Sequence, residues 1–127
     1  MNTVFDPLRK KEVALTPEEG VRQAVIAWLR DTVGIPQVRM QSEWPFKYNG
    51  LTFRADIIVF DRNLNPEILV ECKAPEVAID RKVAEQVIRY VRVLKVKHII
   101  ITNGAATLFF TLDGDTYRPT AGLQPQD

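Results

Sequence analysis

The sequence predicts a single α/β domain in which a helix is followed by a β-hairpin, a third strand, a second helix and a further strand. Residues 16–32 and 80–94 each combine a helix start with apolar residues at helical spacing. The segments between and after them are short apolar runs bounded by turn residues, as strands are. The strand at residues 97–102 directly follows the second helix. A right-handed crossover therefore sets it parallel to the third strand, which makes the sheet mixed.

The composition limits the class of protein. The chain has 127 residues, of which 46% are hydrophobic and 26% charged, as expected for one globular domain. A formal net charge of +1 gives no overall attraction to nucleic acid, so such a role depends on local patches. Cys72 is the only cysteine, which excludes an intrachain disulfide and fits a reducing compartment. Without a membrane-spanning apolar run or a signal sequence, we expect a cytoplasmic protein.

The first helix begins at Thr16-Pro17-Glu18-Glu19, after an N-terminal arm of residues 1–15. Thr16 can cap the helix and Glu19 can complete a capping box, while proline suits the first helical position. On a helical wheel Glu18 falls near the middle of the apolar stripe and Glu19 on the far side. We therefore interpret Glu19 as a cap. Glu18 is either a first-turn acid that favours the helix dipole or a site residue.

Residues 37–47 and 51–60 are predicted to form a β-hairpin. Asn49-Gly50 between them is the best two-residue turn signal in the chain. That turn fixes the register of the two strands, in which Tyr48 faces Leu51.

The same register sets two acidic residues, Glu43 and Asp56, opposite each other. Like charges in that position destabilise a sheet unless a cation or a shared proton relieves them. Pro45 lies between Glu43 and the turn, and a bulge there would change the register. Glu43 is therefore a second-rank site candidate.

The third strand, residues 67–73, ends in Leu69-Val70-Glu71-Cys72-Lys73-Ala74-Pro75. Glu71 and Lys73 share one face of this strand, about 7 Å apart. Charged groups at the end of a buried strand are costly unless they pair or bind something. A strand-end ion pair is the simpler explanation. However, Asp56 at the mouth of the neighbouring apolar run adds a second carboxylate, and such a group can hold a divalent cation beside a water molecule.

The second helix is predicted to begin after Asp80, and its core face consists of Val83, Ala84, Val87, Val91 and Leu94. Gln86 and Tyr90, four residues apart, lie on one border of that face, so the Gln86 amide is expected to face the strand ends. The remaining surface, either a solvated face or a phosphate-contacting patch, includes Lys82, Arg89 and Arg92.

Two further strands, residues 97–102 and 107–112, are predicted after the second helix. His98, the only histidine, is interpreted as a structural or surface residue, because no second histidine can complete a metal cluster. The domain is expected to span residues 12–117, and the Pro/Gly/Gln-rich residues 118–127 to form a flexible tail.

This order of elements brings five side chains together at the strand ends: Asp56, Glu71, Lys73, Glu18 and Gln86. The group suits phosphodiester hydrolysis, in which Asp56, Glu71 and the backbone carbonyl of Cys72 would hold Mg²⁺ or Mn²⁺. The metal would lower the pKa of a bound water and offset negative charge in the transition state. Lys73 is expected to orient the water, because nearby carboxylates make it a poor general base.

These motifs resemble those of the PD-(D/E)XK nuclease superfamily. More closely, over about residues 12–110 the chain resembles the N-terminal nuclease domain of type I restriction enzyme R (motor) subunits. The similar runs are Leu15-Thr16-Pro17-Glu18-Glu19 with Val21-Arg22-Gln23, Arg54-Ala55-Asp56-Ile57-Ile58-Val59-Phe60, Val70-Glu71-Cys72-Lys73-Ala74-Pro75, Gln86-Val87-Ile88-Arg89-Tyr90 and Ile101-Thr102-Asn103-Gly104.

The resemblance implies a restriction-endonuclease-like αβββαβ core, with a central mixed sheet flanked by helices, that cleaves DNA with a divalent metal. It implies a triad of Asp56, Glu71 and Lys73. It further implies supporting roles for Gln86 and Tyr90, which match a motif that contacts DNA in part of the superfamily. An acidic residue on the first helix, Glu18 or Glu19, also belongs to this pattern.

The restriction subunits continue into a helicase motor, whereas this chain ends near its last predicted strand. We therefore expect one of three forms: a small stand-alone nuclease, which could be a homodimer, a fragment of a split system, or a domain that cuts only DNA delivered by a motor or specificity subunit. A catalytically silent nucleic-acid or protein-binding module is the alternative, although such a module has little reason to keep three charges at the strand ends. Nucleotide or RNA hydrolysis is a third possibility, because nothing in the sequence separates DNA from RNA.

Overall fold

A computed structural model describes residues 2–123 of the chain. The helices are α1 (Pro17–Trp28) and α2 (Arg81–Val91). The strands are β1 (Thr3–Asp6), β2 (Lys11–Ala14), β3 (Met40–Tyr48), β4 (Leu51–Phe60), β5 (Pro66–Cys72), β6 (His98–Thr102), β7 (Thr107–Asp113) and β8 (Thr116–Thr120). Strands β3 to β8 form one sheet in chain order, and β1 pairs with β2 separately. Within the described part of the chain, no helix is long and apolar enough to cross a membrane.

The sheet is mixed, as predicted, because β5 and β6 are parallel and the other neighbours are antiparallel. The two helices cover opposite faces of the sheet. On one face α1 packs against β4, β5 and β6 through Val21, Val25 and Ile26. On the other face α2 packs through Ala84, Val87 and Val91. Since both faces are covered, β5 and β6 are almost continuously apolar.

The predicted hairpin is confirmed as β3 and β4, with Tyr48 opposite Leu51. Asn49 (φ 51°) and Gly50 (φ 77°) both have left-handed backbone conformations, which a tight two-residue hairpin turn requires. The first strand of this hairpin, β3, starts at Met40 and not at residue 37 as predicted, because residues 37–39 form a turn of 3₁₀ helix.

The start of α1 matches the prediction only in part. The Thr16 hydroxyl accepts a hydrogen bond from the Glu19 N–H at 3.1 Å, which is the expected cap. The reciprocal half of the capping box is not formed, because the Thr16 N–H donates to the Ala14 carbonyl. The helix is regular to Trp28, and the chain then widens into a π-helical turn that ends at Gly34.

The prediction of a tail from Arg118 onward is wrong at its start. Residues 118–120 belong to β8, where Pro119 is paired with Phe110 of β7. β8 is an edge strand, and an edge tolerates proline because its N–H is not needed for further pairing. Residues 124–127, like Met1 of the predicted N-terminal arm, lie outside the described residues.

Candidate active site

The candidate active site lies where β4 and β5 separate. Their pairing ends at Ile57 opposite Val70, but β5 continues to Cys72. The Cys72 N–H therefore donates to a side chain, the Asp56 Oδ2 atom, at 2.8 Å. This bond holds the Asp56 carboxylate between the two strand ends.

Glu71 lies beside Asp56, and its protonation is strongly perturbed. Burial, followed by the charge of Asp56 and by a hydrogen bond between the two carboxyl groups, raises the pKa of Glu71 to about 8. The ammonium group of Lys73, 3.6 Å from Glu71 Oε2, opposes this shift only partly. Glu71 is therefore largely protonated at neutral pH.

Lys73 completes the cluster that the sequence predicts. Lys73 directly follows β5, and 30% of its side chain is exposed, compared with 16% for Glu71. Part of the Lys73 side chain is therefore accessible to solvent. The structure thus brings Asp56, Glu71 and Lys73 together at one edge of the sheet.

From α2, Tyr90 rather than Gln86 reaches this cluster. Burial and the nearby charges of Glu71 and Asp56 raise the pKa of Tyr90 to about 12. The Tyr90 ring stacks on Phe53 of β4, with ring centroids 4.9 Å apart. Gln86 is exposed, and its side chain makes no hydrogen bond within residues 2–123.

Arg22 of α1 is a site residue that the sequence analysis did not single out. Its Nη2 donates to Asp56 Oδ1 at 2.8 Å, and only 8% of the residue is exposed. A signal for it was present, because Arg22 precedes Ile26 by four residues and Leu29 by seven. A charged residue in that position lies on the buried face of the helix and needs a buried partner.

The predicted placement of the two acids at the start of α1 is wrong. Glu18 is exposed. Burial raises the pKa of the Cys72 thiol, and the charges of Asp56 and, to a smaller extent, Glu18 add to this shift. Glu19 is only 8% exposed and accepts hydrogen bonds from Arg9 at 2.6 Å and from Gln23 at 3.0 Å. Arg9 belongs to the turn between β1 and β2, which covers this side of α1. A helical wheel considers α1 alone, so it cannot predict that the β1–β2 turn buries Glu19.

Glu43 is opposite Asp56 in the register, as predicted, because the pairs on either side of it are Ser42 with Ile57 and Trp44 with Ala55. However, Glu43 has a φ of 53° and leaves the ladder. Its carboxylate lies 3.6 Å from both Arg9 and Arg22, and these cations offset its charge. A non-glycine residue in this conformation is strained, and such strain clusters at functional sites.

The carboxyl groups of Asp56 and Glu71 fit a hard divalent cation. No set of three or more His, Cys, Asp or Glu side chains within residues 2–123 is arranged to hold a metal ion alone. Mg²⁺, however, is commonly bound by one or two carboxylates, with water and substrate oxygens as the other ligands. The proton that Glu71 retains marks a place where a cation would relieve repulsion between the two groups.

The other predicted residues lie further from this cluster. The three predicted DNA-contacting cations are all exposed, on α2 or just after it: Lys82, Arg89 and Arg92. His98 is half-buried at the opposite end of the sheet, and its Nδ1 lies 3.1 Å from the Thr111 hydroxyl. This supports its interpretation as a structural residue.

Comparison with known families agrees with this geometry. A family model described as the type I restriction enzyme R protein N terminus matches residues 17–121 of the chain. A comparison with curated proteins gives no match. The matched segment includes both helices and the whole six-stranded sheet, and the fold is consistent with a restriction-endonuclease-like core. The chain therefore belongs to the type I restriction enzyme R protein N-terminal family and is a nuclease-like domain.

Proposed function

We propose that this domain hydrolyses DNA phosphodiester bonds with the help of Mg²⁺ or Mn²⁺ held by Asp56 and Glu71. The observation that supports it most is the meeting of two carboxyl groups and one accessible lysine at the open end of β4 and β5. The backbone carbonyl of Cys72 is proposed as a further ligand, together with water and phosphate oxygens. When bound, the cation lowers the pKa of a water molecule and stabilises negative charge.

Asp56 and Glu71 have different proposed roles. Asp56 is already oriented by two hydrogen bonds, from Arg22 and from the Cys72 N–H. These bonds hold the Asp56 carboxylate in position at the strand ends before a cation binds. Glu71 contributes its carboxylate only after it loses the proton that its raised pKa lets it keep at neutral pH.

Lys73 is proposed to orient the attacking water and to stabilise charge on the phosphate. Its ammonium group lies 3.6 Å from Glu71 Oε2 and is partly exposed, so it can donate to an oxygen bound next to that carboxylate. The Tyr90 hydroxyl, beside Glu71, is a second donor at the same place.

DNA is proposed to approach over the exposed side of α2. Lys82, Arg89 and Arg92 are exposed cations there, and Gln86 lies on the same helix. Contacts of this kind neutralise phosphates and weaken with rising salt concentration. Glu18, exposed at the start of α1, remains a proposed additional ligand.

The proposed partners are inferred from the family and not from the geometry of the site. R proteins belong to restriction enzymes, so DNA is the expected substrate, and a motor or specificity subunit is a proposed partner in the cytoplasm. A homodimer is the alternative assembly.

One observation favours a catalytically silent binding module instead. Arg22 already satisfies Asp56 and Glu71 retains a proton, so the site is largely neutralised without a metal. Such a module would bind DNA and leave it intact.

Cleavage of supercoiled plasmid DNA in the presence of Mn²⁺ or Mg²⁺ tests the proposal. We expect nicked and linear products from the wild type and a loss of about a hundredfold or more in Lys73→Ala, in the range of lost transition-state donors. Lys97→Ala is the matched control, because Lys97 is an exposed lysine at the opposite end of the sheet. Full activity in Lys73→Ala would contradict its role. DNA binding without cleavage by the wild type would favour the silent module, and parallel reactions on single-stranded DNA and RNA identify the substrate.

A further inference from the structure

Arg22 makes an unusually incomplete set of contacts for a buried arginine. The residue is 8% exposed, yet its Nε and Nη1 atoms are buried without a hydrogen-bond partner within residues 2–123. Its one hydrogen bond joins Nη2 to Asp56 Oδ1. A guanidinium group offers five N–H donors and is usually saturated when buried. Arg22 is therefore attached to Asp56 by only one hydrogen bond within the described residues.

Other carboxylates lie within reach of the same guanidinium group. Nη1 is 3.5 Å from Glu19 Oε1 and 3.6 Å from Glu43 Oε1, just beyond hydrogen-bond length. Arg9 contacts both of these acids as well, which ties the two carboxylates together beside Arg22. A small rotation of the Arg22 side chain can thus exchange one anionic partner for two others without exposing the charge to an apolar surface.

We propose that Arg22 is the internal counter-cation of Asp56 in the metal-free protein and that it moves towards Glu19 and Glu43 when a divalent cation binds. This inference rests on the proposed metal site. A guanidinium group within hydrogen-bond distance of a metal ligand repels an incoming cation and competes for the same oxygen. Arg22 thereby lowers the affinity for metal, and it holds Asp56 in place until the metal arrives.

A calorimetric titration with Mn²⁺ alone, without DNA, tests the competition. We expect Arg22→Gln to bind Mn²⁺ about tenfold or more tightly than the wild type, because one competing positive charge is gone. Arg22→Lys, which retains the charge, should bind within about threefold of the wild type. A residue that only supports the fold or orients Asp56 would give the opposite result, an equal or weaker affinity in Arg22→Gln.

The outcomes separate this inference from the proposed function. Wild-type binding that is unchanged or weakened in Arg22→Gln overturns the role of Arg22 and leaves the metal site standing. Absence of Mn²⁺ binding in the wild type and both variants overturns the metal site, and the inference falls with it.

A second measurement uses the wild type and does not depend on the folding of a variant. In ¹⁵N spectra of the arginine side chains, addition of Mg²⁺ should shift the Arg22 resonances. Those of Arg118, an exposed arginine on β8 paired with Asp113, should stay in place. Mg²⁺ binding that leaves the Arg22 resonances unchanged would show that Arg22 does not leave Asp56.

Discussion

The substitution Glu71→Gln should stabilise the metal-free protein by an amount that grows with pH. Glutamine keeps the size of the side chain but cannot ionise. In the wild type, the pKa of Glu71 rises from 4.5 in the unfolded chain to about 8 in the fold, chiefly through burial and the charge of Asp56. The stability that this retained proton contributes is complete below pH 4.5 and is lost as the pH rises to about 8.

The magnitude follows from the size of the shift. Each pKa unit corresponds to about 1.4 kcal/mol, so ionised Glu71 costs the folded state up to about 5 kcal/mol at pH 9. The cost at pH 5 is below about 1 kcal/mol. At that pH Glu71 keeps its proton in the folded state, and pH 5 lies only slightly above its pKa of 4.5 in the unfolded chain. Relative to the wild type, Glu71→Gln should therefore gain several kcal/mol between pH 5 and pH 9.

Urea unfolding in the presence of a chelator measures this gain, with the fluorescence of Trp28 and Trp44, both half-buried, as the signal. Glu76→Gln is the control, because Glu76 is an exposed glutamate in the loop that follows β5. A difference between Glu71→Gln and the wild type that does not change from pH 5 to pH 9 would refute the assignment of a retained proton to Glu71.

Three further predictions concern the same cluster. Asp56→Ala should lower the free energy of unfolding by roughly 1–3 kcal/mol, because Arg22 Nη2 and the Cys72 N–H lose their common acceptor; unchanged urea midpoints would count against these two bonds. Mn²⁺ affinity measured by calorimetry should rise up to about tenfold per pH unit between pH 6 and 8, since Glu71 must lose a proton to bind; a flat profile would exclude Glu71 as a ligand. Tyr90→Phe should keep its stacking on Phe53 and a normal melting temperature but cleave plasmid DNA more slowly, by about tenfold; full activity would remove the hydroxyl from the mechanism.

Local chemistry made part of the site predictable. Asn49-Gly50 determines its own turn type, and the turn then fixes the register that sets Glu43 opposite Asp56. Likewise, the apolar run that ends at Glu71 and Lys73 identifies a buried strand with charges at its end. These inferences need only neighbouring residues, and the structure agrees with them.

Long-range packing accounts for what the sequence did not reveal. Glu19 is buried because the β1–β2 turn places Arg9 against it, and no feature of α1 alone indicates that contact. Arg22 was missed because its partner, Asp56, lies 34 positions away on another element. The chain after Arg118 has the composition of a tail, and only its pairing with β7 makes it a strand.

The same kind of packing decides how removal of Asp56 changes stability. Relief of repulsion between the two carboxyl groups would on its own raise thermal stability. In the fold, Asp56 also accepts hydrogen bonds from Arg22 and from the Cys72 N–H, and both donors would lose their partner. The loss of these two bonds outweighs the relief, because Glu71 keeps its proton at neutral pH and the repulsion is already reduced.

The most direct test of the central claim is a calorimetric titration of Mn²⁺ at pH 8 into the wild type, Asp56→Asn and the control Asp115→Asn. Asparagine keeps the shape of Asp56, and Asp115 is an exposed aspartate in the turn between β7 and β8. Saturable binding in the wild type and in the control, and its loss in Asp56→Asn, is the predicted result. Binding by Asp56→Asn equal to that of the wild type, or no binding by any of the three proteins, would contradict a metal site at Asp56 and Glu71.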